Sequence, residues 1–149
     1  MKYYLLEFQD EFDKFIYYIM NLKRDTLKKV GLYVGQPHIL KMINEKPGLP
    51  QASLARLAGI KASTLNVMLG RMAKNGLVKI KSDKHNCKIK CVYLTDKGKE
   101  VQKIGCKIID QIKQKQYEGF SEKEKNELQC YMSRINENLN NILKKGEEE

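Results

Sequence analysis

The chain lacks several features that would assign it to common protein classes. It has no tryptophan and only two histidines among its 149 residues. The strongly apolar run near the N-terminus, residues 15–20, is far shorter than the roughly 20 apolar residues that cross a bilayer. Glu7, Asp10 and Glu11 come too early for a secretory signal peptide. We therefore expect a cytoplasmic protein that does not enter a membrane.

Signatures of catalysis and metal binding are also missing. The four cysteines, at positions 87, 91, 106 and 130, are expected to be reduced thiols in that compartment. His85 lies close to two of them, but no Cys-x-x-Cys pair or evident fourth zinc ligand accompanies it. No phosphate-binding loop, nucleophile elbow or paired-acid signature occurs. The sequence thus predicts no enzyme, no cofactor and no metal site.

Positive charge is abundant, and it is concentrated in one part of the chain. The formal net charge is +10. Residues 61–103 hold eleven Lys or Arg against three Asp or Glu, a net charge of +8, whereas residues 104–149 have a net charge of −1. A clustered positive charge favours a polyanionic partner, nucleic acid before an anionic membrane.

Apolar periodicity predicts mostly helix with one small β-hairpin, an α+β fold that is mainly α. The predicted helices span residues 3–23, 35–45, 51–58, 61–75, about 95–116, and a last segment after Ser121. Alternating residues predict strands over 77–82 and 88–94, joined by a polar turn, and "EKPGLPQ" (45–51) is predicted to be a turn. Ser121 and Glu124 have the spacing of a capping box.

The segment 61–75 has the pattern of a helix that enters the major groove of DNA. Its predicted inner face is apolar: Leu65, Met68, Leu69 and Met72. Its predicted outer face is small or polar: Ser63, Thr64, Asn66, Val67, Gly70, Arg71 and Lys74. Lys61, at its start, is a further candidate DNA-binding residue. With the short helix 51–58 before it, the segment forms a candidate helix-turn-helix. The alternative interpretation is a packed helical hairpin with a polar exterior.

Each outward residue type suits a particular contact with DNA. Ser63 and Thr64 can donate hydrogen bonds to phosphates or base edges, and Asn66 can pair with adenine through two hydrogen bonds. Val67 suits a thymine methyl group. Gly70 leaves room for a nearby sugar-phosphate backbone, and Arg71 and Lys74 suit phosphates.

The predicted hairpin is rich in lysine and has the character of a DNA-binding wing. Alternation places Lys79 and Lys81 on one face of the first strand, and Lys88 and Lys90 on one face of the second. Lys84 lies near the tip. The alternative interpretation is an edge hairpin that lysines protect against aggregation.

Three segments of the chain resemble the MarR family of winged-helix regulators. They are "GLYVGQPHIL" (31–40), "GLPQASLARLAGIKASTLNVMLGRMAKNGLV" (48–78) and "SDKHNCKIKCVYLTDKGKE" (82–100). The flanking helices resemble the family's dimerisation helices, so the resemblance covers almost the whole chain. It implies a winged-helix DNA-binding module over residues 32–96, and dimerisation helices over 1–31 and 97–149.

The same resemblance implies a function and a set of partners. The expected protein is a homodimeric repressor that binds a near-palindromic operator and is released by a small aromatic or anionic effector. The implied effector cleft would be lined by Tyr17, Met20, Leu32, Tyr33, His38 and Met42. An architectural or redox-responsive DNA-binding protein without such a ligand is the alternative.

Two positions depart from the family pattern. Asn86-Cys87-Lys88 stands where the family usually has Asp-x-Arg, whose arginine reaches the minor groove. Lysine is a more strongly hydrated point charge than arginine and suits a narrow minor groove less well. Pro50 stands where Thr or Ser commonly precedes the first helix of the motif, and proline is tolerated in a first helical turn.

Overall fold

The computed structural model describes residues 11–145, which divide after Ile112 into two compact units. The elements follow one another as α1 (Glu11–Lys28), α2 (Gln36–Glu45), β1 (Leu49–Pro50), α3 (Gln51–Ala58), α4 (Ala62–Lys74), β2 (Val78–Ser82), β3 (Lys90–Leu94), α5 (Asp96–Lys115) and α6 (Glu122–Lys145). The second unit begins near the end of α5 and contains α6. This order confirms the predicted mainly α fold with a small β element.

The core of the first unit lies where α2, α3 and α4 meet the sheet. Its most deeply buried side chains are Leu27, Leu32, Leu40, Ile43, Leu54, Leu65, Leu69, Met72 and Val92. They come from the apolar stripes of the helices and from the inner face of β3. Burial of these stripes fixes α4 against the rest of the unit, because each helix can place its apolar side inward in only one way.

Three antiparallel strands form the sheet, in the order β1-β3-β2, so the prediction of a two-stranded hairpin was incomplete. The segment predicted to be only a turn contains β1, in which Leu49 pairs with Val92 and Pro50 with Cys91. Gly48, with a φ of 81°, redirects the chain and donates its N–H to the Val92 carbonyl at 2.9 Å. Pro50 fits here because a short edge strand accepts a residue without an N–H.

Helix ends agree with the sequence where a local signal marks them. α3 has the predicted bounds, and Gly59 ends it in a left-handed conformation, with a φ of 64°. The capping box at the start of α6 is present: the Ser121 N–H donates to Glu124 Oε2 at 2.8 Å. Hydrogen bonds from Ser121 lower the pKa of Glu124 below its usual value. α1 extends to Lys28, beyond the predicted end at residue 23, and the predicted residues 3–10 lie outside the described residues.

A tight junction connects the end of α4, the wing and the start of α5. Thr95 is the predicted N-cap of α5: its hydroxyl accepts the Gly98 N–H at 2.9 Å and donates to the Gly76 carbonyl at 2.6 Å. Lys97 Nζ donates to the Asn75 carbonyl at 2.9 Å. A Cβ on Gly98 would lie 1.9 Å from the Leu77 carbonyl oxygen. The segments "NGLV" and "LTDKG" therefore hold each other and fix the wing relative to α4.

Candidate nucleic-acid interface

The two faces of α4 are separated as the sequence predicts. Leu65, Leu69 and Met72 are buried, and Met68 is half-buried. Lys61 and all seven residues predicted to point outward are exposed: Ser63, Thr64, Asn66, Val67, Gly70, Arg71 and Lys74. Val67 is the apolar member of this set and is 55% exposed. The polar face of α4 is thus open over its whole length, while its role in binding DNA stays a prediction.

The turn before α4 orients that face. The N–H groups of Gly59 and Ile60 donate to carbonyls in the last turn of α3, at 3.2 and 3.1 Å. Lys61 is the N-cap of α4 and makes no side-chain capping hydrogen bond. The first N–H groups of α4 therefore remain available beside Ser63 and Thr64, and helix N-termini of this kind favour phosphate.

The wing has an ordered tip that presents basic residues. Asp83 Oδ1 accepts the N–H groups of His85 and Asn86, at 2.9 and 3.0 Å, and Asn86 Oδ1 accepts the Lys88 N–H at 3.1 Å. Side-chain acceptors of this type stabilise turns. Lys88 therefore belongs to the turn, because β3 begins at Lys90 and not at the predicted residue 88.

Every lysine of the predicted wing is exposed, and two are held by neighbours on the sheet. Lys90 Nζ donates to Ser82 Oγ across the two strands at 2.8 Å. The Lys81 ammonium lies 5.7 Å from the centroid of the Tyr93 ring. Lys79, directly opposite Tyr93 in the register, and Lys84 and Lys88 are also exposed. The sheet therefore presents a ribbon of cations next to α4.

One contact at this surface was missed by sequence reasoning. The guanidinium carbon of Arg71 lies 5.5 Å from the centroid of the Tyr33 ring, which belongs to the connection between α1 and α2. The two residues are far apart in sequence, so no periodicity predicts their meeting. The structure thus brings Arg71, which is predicted to bind phosphate, into contact with Tyr33, which is predicted to line the effector cleft.

The six residues predicted for an effector cleft lie in different environments. Leu32 is buried in the core, and Met42 is half-buried against it. Tyr17, Met20, Tyr33 and His38 are exposed. Leu32 also packs on α5, since a Cβ on Gly105 would lie 2.7 Å from Leu32 Cδ1. The structure does not test their role in ligand binding, and the cleft stays a prediction.

The cysteines also differ in their surroundings. Cys87 and Cys130 are exposed, Cys91 is buried in β3, and Cys106 accepts a hydrogen bond from Gln102 Nε2 at 3.1 Å. Between residues 11 and 145, no three His, Cys, Asp or Glu side chains are grouped so that they could hold a metal ion. Within that same range, no helix combines the length and apolar character needed to span a bilayer.

Comparison with known proteins relates this arrangement to characterised folds. Residues 37–79 match a family model described as winged helix-turn-helix DNA-binding. A relative from Bacillus subtilis, the uncharacterised HTH-type transcriptional regulator YybA, is 27% identical over 122 residues, covering 80% of this chain and 81% of the relative. The crystal structure of the transcriptional regulator SlyA is 28% identical, with a TM-score of 0.73, over 87% of this chain and 91% of SlyA. The structure of MarR, 20% identical, has the same fold, with a TM-score of 0.70 over 86% of this chain and 93% of MarR.

Residues 37–79 belong to a winged helix-turn-helix DNA-binding domain, and the chain has the fold of the SlyA and MarR regulators. These similarities confirm the predicted resemblance to the MarR family. The relatives and neighbours named above are transcriptional regulators, which agrees with the prediction that the chain is not an enzyme. In this fold, α3 and α4 form the helix-turn-helix, and β2 and β3 form the wing.

Proposed function

We propose that this protein is a MarR-type regulator, a homodimeric repressor that binds a near-palindromic operator in double-stranded DNA. The observation that carries the proposal is the juxtaposition of an open polar face on α4 with a ribbon of exposed lysines on β2 and β3. In this arrangement α4 enters the major groove, while the wing follows the adjacent phosphates or minor groove. A protein that acts on chromosomal DNA in this way is expected in the cytoplasm.

The charge distribution supports a DNA partner. Residues 61–103, which contain α4 and the wing, have a net charge of +8 and no acidic residue between Lys61 and Ser82. Asn66 and Val67 supply contacts that distinguish bases, whereas Lys61, Arg71 and Lys74 supply contacts to phosphate that do not. Binding should therefore be selective for sequence and strongly dependent on salt.

Exposed apolar surface supports the homodimer. Along α1, only Leu27 is buried, and large apolar side chains such as Phe15, Ile16 and Leu22 are exposed. Along α6, the exposed apolar residues include Ile135, Leu139 and Ile142. Two-fold pairing of identical chains would bury such stripes, and it would place two half-sites about one helical turn of DNA apart.

The effector completes the proposal. The predicted cleft residues Tyr17, Met20, Tyr33, His38 and the half-buried Met42 combine apolar surface with a few polar groups, and Leu32 is buried. This composition suits a small aromatic or anionic molecule. Binding of that molecule would lower the affinity for DNA, which is the behaviour of a repressor that responds to a ligand.

The decisive experiment is selection of bound DNA from a random duplex library, with recovery of bound genomic fragments in parallel. The expected result is an inverted repeat that is enriched in both pools. An enriched duplex is then titrated with benzoate and 4-hydroxybenzoate as effector probes. Enrichment of no sequence would favour an architectural DNA-binding protein instead. If a sequence is enriched but neither probe releases it, the proposed effector class is wrong.

A single substitution tests the assignment of α4. Changing Asn66 to Ala removes the side-chain amide that can pair with adenine, so affinity for the selected duplex should fall by about 1–3 kcal/mol. Preference for the base at that position should relax at the same time. Lys74→Ala serves as the control, because loss of a phosphate contact lowers affinity for all sequences alike. A wild-type affinity and base preference in Asn66→Ala would show that α4 is not the reading helix.

A further inference from the structure

We propose that Tyr33 is a positioning residue for DNA binding, because its ring holds the Arg71 side chain in the orientation that meets phosphate. The inference rests on the proposed function of α4. It concerns a residue outside the helix-turn-helix and the wing. The contact joins the connection between α1 and α2 to the exposed face of α4.

The geometry leaves Arg71 free to bind an anion. The guanidinium carbon of Arg71 lies over the Tyr33 ring, 5.5 Å from its centroid. The group carries five N–H donors in one plane, and a ring on one side cannot cover all of them. A guanidinium held over the ring can therefore still donate two hydrogen bonds to one phosphate.

Tyr33 is itself fixed by its neighbours. Its N–H donates to Oε1 of Gln36 at 3.0 Å, and its carbonyl accepts the Gln36 N–H at 3.1 Å. Gln36 is 1% exposed, so this anchor lies within the protein. The connection also touches α4 directly, since a Cβ on Gly35 would lie 3.3 Å from Met68 Cε. Met68 and Arg71 are three residues apart and are therefore neighbours on α4.

The benefit of this arrangement is pre-organisation. A free arginine side chain loses rotamer entropy when it is ordered at an interface. Because Tyr33 orders Arg71 before DNA arrives, part of that loss is removed from the binding step. A cation–π contact at an exposed site is expected to change affinity by about two- to fivefold.

A double-mutant cycle with the full-length protein tests the inference. Its probe is the duplex enriched in the selection, titrated at fixed salt. Tyr33→Leu removes the ring, Tyr33→Phe keeps it, and Arg71→Ala removes the cation. Tyr33→Leu should weaken binding by about two- to fivefold, and Tyr33→Phe should bind like the parent.

Making Tyr33→Leu in two different variant backgrounds distinguishes a role in positioning Arg71 from a general effect on the fold. In the Arg71→Ala background, Tyr33→Leu should have no further effect on affinity. In a Lys74→Ala background it should keep its full effect, since Lys74 lies over none of the described aromatic rings. Thermal unfolding of each variant checks that the fold is retained.

Four outcomes would contradict the proposed roles of Arg71 or Tyr33, each in a different way. If Arg71→Ala binds like the parent, the proposed role of Arg71 at the DNA surface is wrong. If Arg71→Ala weakens binding but Tyr33→Leu does not, only the positioning role of Tyr33 is overturned. Tighter binding by Tyr33→Leu would also overturn it, because the ring would then withhold Arg71 from DNA. An equal effect of Tyr33→Leu in the presence and absence of Arg71 would assign Tyr33 a purely structural role.

Discussion

α4 and α6 are both amphipathic helices, but the apolar side of α4 is buried and that of α6 is exposed. In α4, Leu65, Leu69 and Met72 are buried in the core of the first unit. In α6, no residue with a described side chain is buried, and Leu139 is 51% exposed. Apart from Val67, what α4 leaves on the surface is mostly small, polar or cationic. What α6 leaves on the surface includes a row of large apolar side chains.

The difference indicates which class of partner each helix meets. Exposed apolar area gains about 25 cal/mol for each Å² that a partner removes from water, which favours a protein against α6. The charge distribution agrees, since residues 104–149 have a net charge of −1 against +8 for residues 61–103. α6 thus offers little attraction to DNA, while α4 offers little apolar surface to a protein.

Charging the apolar stripe of α6 should have the largest effect. The double substitution of Ile135 and Leu139 to Glu places two carboxylates in the proposed interface. We expect sedimentation to report the 17.3 kDa monomer in place of a dimer. Affinity for a two-site operator should fall by about 100-fold or more, because the second half-site no longer adds to the first.

The matched control adds the same charge to the other side of the helix. Ser133 and Asn141 are exposed and lie opposite the stripe at 3.6 residues per turn. Changing both to Glu should leave the dimer intact. If the variant with Glu at Ile135 and Leu139 is also still a dimer, α6 does not form the interface. The exposed apolar side of α6 would then not indicate a protein partner.

An intermediate effect is expected where α4 and the wing pack against α5. Gly98→Ala places a methyl group 1.9 Å from the Leu77 carbonyl oxygen, so backbone must move. We expect a loss of about 1–3 kcal/mol in the free energy of unfolding, measured by denaturation. Gly70→Ala is the control on the open face of α4, with no atom within 4 Å of its added Cβ. It should gain about 0.5–1 kcal/mol through helix propensity.

Gly70→Ala also distinguishes folding from binding. If DNA backbone approaches α4 at Gly70, as the sequence predicts, the variant is more stable but binds the selected duplex more weakly. Unchanged binding would place the DNA elsewhere along the helix. Equal stability of Gly98→Ala and the parent protein would show that the junction can relax.

Local signals explain which parts of this structure could be predicted from the sequence. The bounds of α3 follow from the apolar pattern and from Gly59, and the start of α6 follows from the spacing of Ser121 and Glu124. The two faces of α4 follow from helical periodicity. Each of these depends on residues within a few positions of one another, so one sequence is enough to reveal it.

The features that sequence reasoning missed all depend on partners elsewhere. β1 has only two residues, too few for any alternation, and exists because it pairs with β3. The contact of Tyr33 with Arg71 needs the packed core to bring the connection between α1 and α2 against α4. The shift of Lys88 from strand to turn depends on the hydrogen bond that Asn86 makes to its N–H.

Substitution of the wing lysines is expected to have the smallest effect on DNA binding. It tests whether positive charge attracts DNA more strongly in the wing than in α6. Lys88 lies in the ordered tip and Lys90 beside Ser82, both exposed. Changing both to Ala should reduce the slope of log affinity against log salt by about 0.9 for each lysine that contacts a phosphate.

Changing Lys123 and Lys125 of α6 to Ala removes the same charge from the other unit and should leave the slope unchanged. Equal slopes in both double variants would mean that overall charge, and not the position of the wing, governs attraction to DNA. A reduced slope confined to the wing variant would place its tip against the phosphates, even with lysine in the position where arginine is usual.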